Sequence, residues 1–376
     1  MKNKFLQIII TALITFSVLL GITGTNYCNV LSKKGSSIYL DITSCTMVKG
    51  GSLKLKPKFN PAKKKKPKVK WKSSNKKIVS VTKEGKIKGL KAGTATVTAR
   101  MNNGSKSSCK VKVIGARIAL TAGKKTKVSD NTEIDYSHCS EGYIMVRKKI
   151  TDKVKVYVES PGKRTYSRII IPDADIWYPV PLQSGSGKYT VSLCIQEKGE
   201  FYRVDTKAEF SASFSSKDIN YLYNNIYSNY SEHCKSIKKS LKLCNNKKSD
   251  LAKVRAIYKY IIKNIKYDKN KMKKTTDEYI PELEEIYSSK KGICFDYASL
   301  FAAMCRANNI KNKVVLGYHE GDGHAWNEVY IKGKGKIAKG ISSKGGWKRL
   351  DSTFAAAKAP AKKLEDDSAY SPSQYY

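Results

Sequence analysis

Hydrophobic periodicity changes twice along this chain of 376 residues, and those changes fix which folds are open to it. Between about residues 36 and 213, short runs alternate apolar and polar side chains, the period of a half-buried strand. From Ser216 the apolar positions recur every three or four residues, as on one face of a helix. Ile219, Leu222 and Ile226 begin that pattern. Leu251, Val254, Ile257, Tyr258, Ile261, Ile262 and Ile265 form its strongest stripe, with Ser249 or Asp250 placed as the N-cap. Alternation then returns at Val314, Leu316 and Tyr318. The order predicts a multidomain protein: two β-rich units, then an α+β unit with helices on one side of an antiparallel sheet.

The β region divides in two. Over 36–114 the alternating runs are Ile38–Ile42, Ser52–Lys56, Lys68–Lys72, Ile78–Val81, Thr94–Ala99 and Ser108–Val113. Turns are signalled by Lys49-Gly50-Gly51, Glu84-Gly85 and the hairpin-type Asn103-Gly104. Short strands at this spacing predict a sandwich. Lys63–Lys66, between Pro61 and Pro67, reads as a loop. Over 116–213 the runs Lys153–Val158, Arg168–Ile171 and Lys188–Cys194 predict a second β-rich domain, with Trp177 and Tyr178 as core aromatics. The first unit has no His and no paired carboxylate, so it supports no catalysis; in the second, Trp177 and Tyr178 are alternatively placed to line a sugar or peptide groove.

The chemistry lies in 216–376. Gly292-Ile293-Cys294-Phe295-Asp296-Tyr297-Ala298 opens an apolar, helix-favouring run. A thiol at the first turn of a helix meets unused N–H groups and the positive end of the dipole, which favour a thiolate. His324 follows in Gly323-His324-Ala325-Trp326, and Asp351 in Trp347-Lys348-Arg349-Leu350-Asp351. Such a thiol needs a base, and the base needs an acceptor that fixes its tautomer. Alternation puts His324, Trp326, Glu328 and Tyr330 on one strand face, with Ala325, Val329 and Ile331 on the other. Trp347, Arg349 and Asp351 share a face of the next strand. The glycine- and lysine-rich stretch 332–346 reads as a mobile loop. Trp326, Glu320 and Asp322 are candidates for the substrate groove, and the two carboxylates are placed to attract a lysine amine. His319 is the alternative base, but alternation places it on the opposite phase from Tyr318 and it lacks the Ala-Trp flank. No metal-ligand spacing and no phosphate-binding glycine loop occurs, so no metal or cofactor is expected.

Two resemblances rest on these residues. Gly292, Cys294, Asp296, Tyr297 and Ala298, then His324, Ala325, Trp326 and Val329, then Trp347, Leu350 and Asp351 resemble the transglutaminase-like superfamily of papain-type cysteine enzymes. The likeness covers roughly 250–355. It implies a papain-like catalytic core with Cys294 as nucleophile, His324 as base and Asp351 orienting it. Thioester chemistry on peptide or glutamine amides is implied, with transfer to an amine or to water. It also suggests Tyr267, upstream of the nucleophile, as an oxyanion candidate. The other resemblance runs through Trp71-Lys72-Ser73-Ser74-Asn75, Ile78, Val81, Gly85, Ile87, Gly89, Gly93, Thr94, Ala95 and Val97. These are similar to the group 2 bacterial immunoglobulin-like domain, an adhesion or spacer module. The competing reading is a non-catalytic cell-surface adhesion or wall-binding protein that uses this domain and the basic surface.

Compartment and partners follow from the ends and the charge. Lys2 and Lys4 precede an apolar run from Phe5 to Ile22, which predicts a signal peptide within 1–27 and a secreted or cell-surface protein. Lys and Arg number 72 against 31 Asp and Glu, a net charge of +41. That excess predicts attraction to anionic wall polymers or a membrane surface. No nucleic-acid-binding motif accompanies it, so nucleic acid is not an expected partner. The expected substrates are proteins or peptides, cell-wall peptides among them. An exported chain permits disulfides. Cys45 with Cys109, Cys139 with Cys194, and Cys234 with Cys244 are the candidate pairs, and Cys305 reads as core.

Overall fold

The computed structural model describes residues 36–376, apart from 50–51, 63–66, 116, 161–162 and 232. The signal segment at 1–27 and the Lys63–Lys66 run lie outside the described residues. The first unit packs a four-stranded sheet, in the order Ser44–Val48, Lys106–Ile114, Gly93–Met101 and Val69–Ser73, with a three-stranded sheet of Ser52–Lys54, Lys86–Gly89 and Val79–Val81. Asn103-Gly104 closes the hairpin as expected: Gly104 has φ +89°, and the Met101 N–H donates to Ser105 O at 2.9 Å. Alternation buries Ala95, Val97, Ala99, Val111 and Val113 against Leu53, Leu55, Val79 and Ile87.

The middle region consists of two four-stranded sheets. One is ordered Thr126–Val128, Thr132–Asp135, Tyr143–Lys148 and Tyr178–Pro181; the other Lys163–Ile170, Val154–Ser160, Gly187–Lys198 and Phe201–Ala212. Their inward side chains, including Ile134, Val146, Val156, Val180 and Val191, form one core that does not end at the domain edge. It continues into Ala298, Ala302, Val314, Ala325 and Tyr376, and Cys294 and Phe295 pack against it. The middle domain therefore forms a wall beside the candidate nucleophile. A Lys153–Glu278 ion pair of 2.8 Å ties the same two regions.

In the last unit, Ser249 caps helix Asp250–Asn264 by accepting from the Ala252 N–H at 3.2 Å. Val254, Ile257, Tyr258 and Ile261 are buried against helix Cys294–Arg306 and its surroundings. That second helix is covered all round. Ala298 and Ala302 face the middle domain's core, while Leu300, Phe301, Ala303, Met304 and Cys305 face the helices. The sheet order is Gly346–Leu350, Asp322–Ile331, Asn312–His319 and Tyr370–Tyr375, all antiparallel.

Several expectations need correcting. Ile219, Leu222 and Ile226 lie in two short 3-10 turns, Ile219–Leu222 and Ile226–Ser228, where an amphipathic helix was expected. Asn225 interrupts the segment, its side chain capping the Tyr227 and Ser228 N–H groups instead. The 332–346 stretch is not a loose loop. Strands Gly335–Ala338 and Ile341–Ser343 form a hairpin that buries Ile337 and Ile341. The segment after Ala355 is part of the fold and contributes the edge strand Tyr370–Tyr375. Cys234 and Cys244 sit at opposite ends of helix Lys235–Cys244, about 15 Å apart at 1.5 Å per residue. Cys139 lies against Ser211 O, and Ser211 pairs with Lys188, about 20 Å along the strand from Cys194. Neither pair can close, and Cys45 and Cys109 are free thiols as well.

Candidate active site

Cys294 is the first residue of helix Cys294–Arg306 and is half-buried. The chain reaches it along Lys291–Gly292, which pairs in parallel with Lys266–Tyr267. Asp296 folds back over this entry. Its Oδ2 accepts from the Ile293 N–H at 2.9 Å and pairs with Lys271 Nζ at 2.9 Å, while Tyr279 Oη donates to Oδ1 at 2.5 Å. Lys271 thus balances the carboxylate two residues after the cysteine. A side chain at 292 would meet Asp296 Cβ at 2.6 Å, which explains the glycine two residues before the cysteine.

The base comes from the central strand. Asn327, on the face opposite His324, donates to Ala298 O at 2.9 Å and to Asn312 Oδ1 at 2.8 Å, fixing the strand to the nucleophile helix. In the register Gly317 opposes His324. A side chain there would meet Ser371 O at 2.2 Å and Trp326 Cη2 at 2.8 Å, so only glycine lets the edge strand close behind the base. His324 Nε2 and Asp351 Oδ2 are 2.7 Å apart. Nδ1 is then the nitrogen left to serve the Cys294 sulfur.

Asp351 stands one residue beyond the strand on which it was expected, as the N-cap of helix Ser352–Ala356. Its Oδ1 accepts from the Thr353 and Phe354 N–H groups at 2.9 and 3.0 Å, and its Oδ2 accepts from Tyr370 Oη at 3.0 Å as well as from His324. Tyr258 Oη donates to the Asp351 backbone oxygen at 2.8 Å. Every acceptor position is filled, which holds this buried carboxylate in one orientation. Burial pushes its pKa up, but the His324, Phe354 and Tyr370 donors bring it below the usual carboxylate range.

Burial also opposes charge on His324. The Asp351 carboxylate and the Cys294 sulfur overcome it and raise the imidazole to about 9. At neutral pH the base therefore rests as an imidazolium, the counter-ion a thiolate at Cys294 needs. Activity is expected to fall as pH rises through about 9, where that proton is lost. Stability follows the same sign. The folded pKa lies above the ordinary 6.5, so the His324 contribution is complete below pH 6.5 and disappears as pH climbs through about 9. A kcat/KM profile and a Tm series over that range check both.

The other candidates are distributed unequally. Tyr267 is exposed and directly beside the nucleophile entry; burial, Cys294 and Asp296 all raise its phenol pKa. Trp326 is only 2% exposed. It packs edge-on against Tyr370 at 5.0 Å and lies near-parallel to His324 at 6.1 Å, so it supports the base from the core. Glu320 is exposed and paired with Lys363 at 3.1 Å, and Asp322 is exposed at the start of strand Asp322–Ile331. His319 is buried, 5.9 Å edge-on from His324, with its pKa lowered by burial. Phe354, stacked on the imidazole at 4.8 Å, and Tyr370 are the residues that sequence reasoning missed. Tyr370→Phe deletes one donor to a buried charge, so kcat/KM is expected to fall roughly tenfold with KM little changed. Steady-state kinetics on the purified variant measure it.

With this geometry in place, the likenesses to known proteins are specific in extent. Residues 237–352 match the model of the Transglutaminase-like superfamily, and residues 36–111 match that of the Bacterial Ig-like domain (group 2). Kyphoscoliosis peptidase of Mus musculus is 32% identical over 121 residues, covering 29% of this chain and 16% of that protein. Its Homo sapiens counterpart is 31% identical over 121 residues, with the same coverages of 29% and 16%. The chain thus spans 16% of the length of these curated relatives. A solved structure from Cytophaga hutchinsonii, provisionally described as a cysteine protease, is 17% identical and covers 67% of this chain and 78% of its own, at a TM-score of 0.33. That overall likeness is too low to carry weight. Tyr370 lies beyond the matched segment. Cys294, His324 and Asp351 all fall within the 237–352 match to the Transglutaminase-like superfamily, which follows the match to the group 2 bacterial Ig-like domain.

Proposed function

We propose that this is a secreted cysteine enzyme that acts on peptide or glutamine amides through a thioester on Cys294. The observation that carries the reading is the 2.7 Å bond from His324 Nε2 to Asp351, which leaves the other ring nitrogen for a sulfur at a helix N-terminus. In the first half-reaction the thiolate attacks the amide carbonyl. The oxyanion forms beside the Cys294 N–H, which the helix does not use, with the Tyr267 phenol as second candidate donor. The imidazolium gives its proton to the departing amine, the C–N bond breaks and the thioester remains. In the second, neutral His324 takes a proton from water or an amine, whose oxygen or nitrogen attacks the thioester and releases the thiolate. Asp351 keeps the ring in one tautomer throughout.

The name of the relatives, a peptidase, makes hydrolysis the first reaction to assay. Peptide substrates, wall peptides included, fit an exported enzyme, and anionic wall polymers fit its charge. The test incubates the protein with a glutamine-rich protein and a fluorescent primary amine. Amine incorporation, ammonia release and new peptide termini are followed together. At least one should appear with the natural chain and vanish with Cys294→Ala. Identical signals from both proteins would remove the proposal.

A further inference from the structure

We infer that the cleft between the immunoglobulin-like domain and helix Lys235–Cys244 is a binding site for a linear polyanion, a chain bearing phosphate or carboxylate groups. The cleft has a volume of about 740 Å³. On one side, strand Lys86–Gly89 turns Lys86 and Lys88 outward into it, while Ile87 between them is fully buried. On the other, Lys238 and Lys242, one turn apart on helix Lys235–Cys244, point back, and Lys49 adds a fifth ammonium at the margin. No Asp or Glu lines it among the described residues.

That arrangement is costly without a ligand. Like charges at i,i+4 on a helix repel, and a cleft lined by one sign focuses the field. Some lysines of this chain have carboxylate partners, as in Lys313–Glu328 at 2.7 Å and Lys155–Glu200 at 3.1 Å. Lys86, Lys88, Lys238 and Lys242 have none among the described residues. A multivalent anion is the missing partner. Hydroxyls of Ser80 and Thr82 offer neutral donors to the same ligand, and Leu90 and Leu241 line it with apolar surface for a polymer backbone. A flat membrane cannot reach between two facing walls. Single-stranded nucleic acid is disfavoured because no aromatic ring lines the cleft for base stacking.

The walls belong to different domains. They meet where the Asn246 N–H donates to Ser52 O at 3.0 Å and Lys248 pairs with Asp41. A ligand in the cleft therefore also fastens the immunoglobulin-like domain to the catalytic unit. The site is independent of catalysis, so Cys294→Ala protein can be used throughout.

The experiment titrates the full chain with inorganic polyphosphate, polygalacturonate and phosphatidylglycerol vesicles over a salt series. One variant carries Lys86→Gln, Lys88→Gln, Lys238→Gln and Lys242→Gln. A charge-matched control carries Lys70→Gln, Lys72→Gln, Lys124→Gln and Lys127→Gln, all exposed positions outside the cleft. The cleft variant should bind at least one of the two chains about thirtyfold more weakly, with a salt slope smaller by about 3, and the control should change less than about threefold. Equal losses in both variants would mean diffuse surface charge and overturn the proposal. So would a loss confined to vesicle binding. Matching Tm values show that each variant is folded.

Discussion

Cys294→Ala is expected to lower kcat/KM on any amide substrate by at least about 10⁴-fold, because removing the nucleophile of a coupled triad removes nearly all of its catalysis. His324→Ala should cost about as much, and the double variant little more, since the two act as one unit. Folding is expected to survive the cysteine change. The side chain is small and half-buried, and the helix it begins is held by Asp296 and by the packing of Ala298, Leu300 and Phe301. Kinetics and a thermal melt on the same preparation separate loss of chemistry from loss of fold.

The largest structural effect is expected at Arg306, which makes no contact with the triad. This side chain is fully buried at the end of the nucleophile helix. Its Nε and Nη2 donate to Asn312 O at 2.9 and 2.8 Å, and Nη2 donates to Tyr376 O at 2.6 Å. Burial lowers its pKa to about 10, so it is still charged at neutral pH. Arg306→Leu removes both guanidinium donors from Asn312 O and leaves Tyr376 O with the Val314 N–H alone, and is expected to cost about 3–5 kcal/mol, the range for breaking a buried charged network. The edge strand should loosen with it, because Tyr376 anchors that strand beyond Tyr375. Tyr370 then leaves Asp351, so activity should fall before global unfolding. Urea denaturation followed in parallel with activity will show whether the losses come in that order.

What could be read from the sequence was what local pattern encodes. Alternation marks Gly93–Met101 and Asp322–Ile331, the apolar stripe marks helix Asp250–Asn264, and Asn103-Gly104 marks a hairpin. Cys294, His324 and Asp351 stood out together, by their order and by flanks that resemble one family, where each alone would have read as structural. Residues whose meaning depends on distant partners were not legible. Arg306 looks like an ordinary helix-end cation until Asn312 and Tyr376 surround it. Tyr370 sits in a polar, serine-rich stretch whose strand pairing exists only against Asn312–His319. Glycines at 332–346 suggested looseness, yet Ile337 and Ile341 find a core to dock on. Trp326 was placed on the correct face of its strand, but that face is covered by Tyr370 and the edge strand.

Selective alkylation tests the central claim most directly. The natural chain is treated with limiting iodoacetamide at neutral pH, and each cysteine is quantified by peptide mass spectrometry. Cys294 should be labelled at least about tenfold faster than Cys45 and Cys234, which are also half-buried, and His324→Ala should erase the advantage. Equal labelling of the three thiols, or a Cys294 rate indifferent to His324, would contradict an activated sulfur–imidazole pair.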